Sequence, residues 1–254
     1  MVNFPRRRYR LGAFPFLAIL APTRLRFRKG PPQRGARGWS GFTLVELLAV
    51  VAIVGVLAGI LIPSVGAARA ASQRAQTRLQ FAAWTVGFEA YRQEYGQYPP
   101  LPGGAAAALI NTGAGTTPAA DHWFHDALAG RHRDGSALAD SAPENPRRLR
   151  FLSFGENDFV SGSDVAVGEN RNDELQLVRD AFANTAIAVV IDANLDGLIN
   201  AGDLAELPAV VARHGTKALR PSGILTGPGV RAGVIFYSAR PGAVDEDDLI
   251  MSWP

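Results

Sequence analysis

The chain has 254 residues, with 26 Lys/Arg against 23 Asp/Glu, 4 His and no cysteine. That length admits one domain of ordinary size with appendages, or two small ones; the lack of cysteine excludes a disulfide framework, so the fold must be held by its core, a metal or neighbours. The net charge of +3 is unevenly placed: residues 1–41 hold ten Lys/Arg and no acid, leaving 16 basic and 23 acidic residues in the remainder. The acidic balance of residues 42–254 speaks against direct nucleic-acid binding, because phosphate contact needs clustered Lys/Arg.

Residues 1–41 are dominated by Arg, Pro and Gly, and their apolar patch, Leu11 to Ala21, is too short to cross a bilayer. This segment reads as a basic leader. From Phe42 to Ile62 the only polar residues are Thr43 and Glu46, and a helix of that length covers about 30 Å, the thickness of a hydrocarbon core. Residues 42–63 therefore read as a membrane-spanning half helix, with the basic flank cytoplasmic and the rest of the chain outside. Pro63 ends the apolar run and is expected to weaken the helix, which resumes over 64–98 as an amphipathic half. In that half Phe81, Trp84, Phe88, Tyr91 and Tyr95 recur at helical spacing, a single aromatic stripe that needs a surface to pack on. Gly96 and the pair Pro99-Pro100 stop the helix.

Residues 99–254 read as a globular head. Residues 101–120 are small and loop-like, and "HWFHDALAG" around Phe124 reads as a short helix. Strands are expected at Arg148 to Phe154, Ala186 to Asp192 and Ala232 to Ala239, with a helix over "DLAELPAVVARHG", residues 203–215. The expected class is α+β: a long N-terminal helix packed on a small antiparallel sheet.

The stretch "SGFTLVELL" followed by an apolar helix resembles the prepilin signature of type IV pilins and type II secretion pseudopilins. By that resemblance a prepilin peptidase cuts between Gly41 and Phe42, methylates the new Phe42 amine, and an inner-membrane assembly platform builds the subunits into a fibre. An intramembrane carboxylate is costly unless paired; with the cut made, Glu46 of one subunit can meet the Phe42 ammonium of its neighbour. Gly55 and Gly59 form a small-xxx-small face for close helix approach. "EAYRQEYGQYPP" and "VIFYSARPGAVDEDDLIMSW" resemble the end of the long helix and the last strand and acidic loop of major, G-type pseudopilins. The implied pilin-like protein is an inner-membrane, single-pass subunit with a periplasmic head, which homopolymerises into a pseudopilus that serves protein export. A type IV pilus subunit for adhesion, motility or DNA uptake, and a calcium-binding domain on an uncleaved anchor, remain as alternatives.

Two loops are candidate calcium sites. Residues 192–203, "DANLDGLINAGD", fit a calcium-loop template through Asp192, Asn194, Asp196, the Leu198 carbonyl, Asn200 and Asp203, with Gly197 at the sharp turn. The plain alternative is an Asx-rich turn between strand and helix. The second set, Ser238, Asp247 and Asp248, is implied only by the G-type resemblance. His122, His125 and His132 lack Cys or Glu partners at ligand spacing, too sparse a set to define a zinc site. With no GxSxG, P-loop or HExxH, the chain is not expected to be an enzyme.

Overall fold

The computed structural model describes residues 41–140, 142–164 and 172–253. The expected leader therefore lies outside the described residues except at Gly41. Internal contacts divide the chain into two units, Met1–Ile53 and Val54–Pro254.

One helix, α1, runs over Leu44–Tyr95. It is unbroken through Pro63, so the expected weak point is not a break. Proline supplies no N–H to the preceding turn; the next residue, Ser64, turns its hydroxyl back to donate to the Ile60 carbonyl at 2.9 Å. The helix stops where expected, at Gly96, whose φ of 76° is natural only for a residue without a Cβ and whose N–H closes on the Arg92 carbonyl.

The head is a four-stranded antiparallel sheet with a separate two-stranded ribbon. The strands are β1 (Ala107–Leu109), β2 (Ile187–Ile191), β3 (Val210–Val211), β4 (Ala218–Leu219), β5 (Val234–Ala239) and β6 (Leu249–Met251), and a short helix, α2, covers Trp123–Ala129. The sheet order is β1-β2-β5-β6, with Val189 opposite Phe236 at its centre, while β3 pairs with β4. Every residue of β2 and β5 is buried, which requires cover on both faces.

Side-chain alternation supplies two different cores. Ile187, Val189, Ile191, Val234 and Phe236 join Phe81, Trp84 and Phe88 of α1 and Phe124 and Leu128 of α2. Ala188, Val190, Ile235, Tyr237 and Ala239 instead meet Ile199, Leu207, Val210 and Leu219. The predicted aromatic stripe is thus the contact between helix and head: Trp84 lies edge-on to Phe124 and Phe236, with ring centroids 5.0 and 5.5 Å apart.

Two expected elements are corrected. Arg148–Phe154 is not a strand: Arg148 has a φ of 53°, and the N–H groups of Phe151 and Leu152 both donate to the Leu128 carbonyl rather than to a neighbouring strand. Residues 203–215 are not a helix. Pro208 removes a donor from the middle of the window, its carbonyl accepts from the Tyr237 hydroxyl, and Val210-Val211 pair as β3.

Candidate functional site

The chemistry of α1 begins at its first turn. Thr43 precedes the helix, its hydroxyl accepts the Glu46 N–H at 3.2 Å, and Glu46 Oε2 accepts from the Thr43 N–H (2.9 Å) and hydroxyl (2.8 Å). This is a reciprocal capping box of the pattern Thr-x-x-Glu. The sequence reading assigned Glu46 to a neighbour's amine and missed the box, although "TLVE" displays the signal. Within one chain the box gives the carboxylate local partners and aims it toward the helix start.

α1 is long and apolar enough to cross a membrane. Phe42 and Leu44 are each 74% exposed, and the large aliphatic side chains Val45 to Ile62 and Val65 that follow are exposed too. Gly55 and Gly59 have no atom of the same chain within reach of a Cβ, so both leave an open notch. Apolar exposure continues beyond the membrane-length segment. Ala68, Ala75, Leu79, Ala82 and Val86 are all exposed and follow at spacings of 7, 4, 3 and 4, one face of the helix pointing away from the aromatic stripe. Leu79 is 71% and Val86 69% exposed.

The 192–203 loop brings its predicted residues together as a web of Asx turns. Asp192 accepts the N–H groups of Asp196 (3.2 Å) and Gly197 (2.7 Å), Asn194 Oδ1 that of Asp196 (2.9 Å), and Asp196 that of Leu198 (2.8 Å). Gly197 takes a φ of 85° at the turn, as the template requires. Asn200 Oδ1 accepts the Gly202 N–H, and Asp203 accepts from Ala193, Asn194 and Asn200, so both its oxygens close the loop. The next anchor is Ile199, fully buried and paired through its backbone with Val230. The loop holds its shape by its own hydrogen bonds.

The residues of the second set have separate partners in the chain. Ser238 Oγ donates to the buried Asp180 carboxylate at 2.8 Å, whereas Asp248 is held by the Arg240 guanidinium and the Val244 N–H, which together keep its carboxyl below the usual range. Asp247 is exposed. A guanidinium already stands where a cation would neutralise Asp248.

The motif "EAYRQEYGQYPP" has a packing role: the Tyr98 hydroxyl donates to Glu89 Oε1 at 2.7 Å, directly over Gly233. A Cβ at Gly233 would collide with the Tyr98 hydroxyl, so the glycine is what lets the chain after α1 fold onto the sheet. In comparisons with known proteins, no family model, curated protein or solved structure matches the chain.

Proposed function

We propose that the chain is a structural, pilin-like subunit of the pseudopilin kind, anchored by α1 in the inner membrane with its head periplasmic, and assembled with copies of itself for protein export. The observation that carries this reading is the second half of the exposed apolar face. A bilayer accounts for uncovered Phe42 to Ile62, but it is too thin to reach Leu79 and Val86 as well. Neighbouring α1 helices would cover both. The Gly55 and Gly59 notches suit close helix approach, and the prepilin-like stretch at Gly41 and Phe42 supplies the amine that Glu46 would meet on a neighbour.

In the same reading the 192–203 loop takes a calcium ion through Asp192, Asn194, Asp196 and the Leu198 carbonyl, while Asp203 keeps the loop closed. No catalytic role is part of the proposal. The experiment is Glu46→Ala in the full chain, scored by cross-linking or sedimentation of assembled fibre. Loss of fibre with normal membrane insertion supports the pairing; wild-type assembly removes it.

A further inference from the structure

Residues 101–145 carry a cluster of metal-ligating side chains that belongs to neither candidate calcium loop. The geometry points to a divalent transition-metal site formed by Asp121, Asp126 and His132, suited to zinc. Its ligand atoms all lie within 4.8 Å of one another. His132 Nδ1 is 3.1 Å from Asp126 Oδ2 and 4.0 Å from Asp121 Oδ1. Two ligands of a tetrahedral zinc ion with bonds of about 2.0–2.1 Å stand about 3.3 Å apart, a value that the two separations bracket.

Three features preorganise the set. Asp126 is buried, and His125 Nδ1 donates to its Oδ1 at 2.9 Å, which holds the carboxylate and leaves Oδ2 facing His132. The His122 N–H donates to that same Oδ2 at 3.0 Å. Arg133, the residue after His132, donates to the carbonyls of Gly115, Thr117 and Ala120, and the Asp134 N–H donates to that of Pro118. This clamp fixes the loop that ends in Asp121 against the loop that bears His132.

His122 is not a ligand. Its Nδ1 faces the His125 N–H and its Nε2 donates to Asn111 Oδ1, so both ring nitrogens are already in use. On metal binding at His132 Nδ1, the proton on that nitrogen moves to Nε2, which has no hydrogen-bond partner among the described residues. Two carboxylates balance the ion's charge, and the exposed side of Asp121 leaves room for water. An imidazole nitrogen in the set favours zinc or a similar late transition metal over calcium.

The site is independent of the assembly reading. The test uses the full chain purified in detergent and freed of metal, titrated with Co²⁺ by visible absorption and with Zn²⁺ by calorimetry. One equivalent is expected to bind, and D121N and H132Q each to weaken binding by about 10-fold or more. The Asp121 side chain is 96% exposed, so D121N should melt like the metal-free parent. No uptake by the parent, unchanged affinity in both variants, or displacement by excess Ca²⁺ would each overturn the site.

Discussion

Asp180 shows how a single buried carboxylate sets a pH response. It is 2% exposed and accepts from the N–H groups of Phe182 and Asn184 and from the Ser238 hydroxyl, yet desolvation outweighs these donors and the nearby Arg179, pushing its pKa up to about 6 from 3.8. With the folded value raised, the native state takes up a proton before the unfolded chain does. Stability therefore rises as pH falls from about 6 to about 4, by on the order of 1–3 kcal/mol. Asp180→Asn keeps the two backbone contacts and can donate to Ser238. It is expected to fold and to lose that slope; equilibrium denaturation at several pH values checks this, and an unchanged slope would assign the response elsewhere. At the helix start, Thr43→Val removes the hydroxyl half of the capping box. The cost is about 1 kcal/mol of helix-end stability. In the proposed assembly Thr43→Val impairs fibre formation less than Glu46→Ala does, since the carboxylate remains.

At the scale of elements, α1 has two faces, one buried against the head and one exposed. The aromatic face holds the head together: Trp84→Ala empties the space between Phe81, Phe124 and Phe236 and should cost about 3–5 kcal/mol, read as a lowered denaturation midpoint. The outward face is left exposed by the described residues. In the proposed assembly, Leu79→Asp combined with Val86→Asp should leave the melting of the head unchanged and abolish polymerisation, and a head that melts with the parent while fibres persist would deny that face an assembly role. The 192–203 loop is already closed by its own hydrogen bonds, so under the proposed calcium reading the ion adds stability through mass action alone. Melting with calcium and with a chelator should differ by a few degrees, and an Asp196→Asn variant should abolish the difference.

Across the whole molecule, the readable parts were those governed by local pattern. The aromatic spacing in α1 and the unbroken apolar runs of β2 and β5 state their environment directly, because burial on one helix face or on both sheet faces repeats along the sequence. Residues 203–215 carried enough apolar side chains to suggest a helix, but Pro208 and the β-branched pair after it prevailed. Arg148–Phe154 alternated like a strand; its backbone partners turned out to be Asn145 and the end of α2, contacts no local window reveals. The same holds for Asp121 and His132, whose loops are held together by Arg133, which donates to three carbonyls, and by the Asp134 N–H on Pro118. By contrast the Thr43–Glu46 box was visible, and a functional explanation for the glutamate obscured it. The two roles are compatible, since a carboxylate oriented by its own chain is already aimed at the end where a neighbour's amine would arrive.

Cleavage is the event on which that pairing depends, and intact mass with N-terminal sequencing of the membrane-extracted protein reads it directly. A chain that begins at N-methylated Phe42 is the predicted result; a mature protein that begins at any other residue, or retains residues 1–41, would contradict the pilin-like assembly.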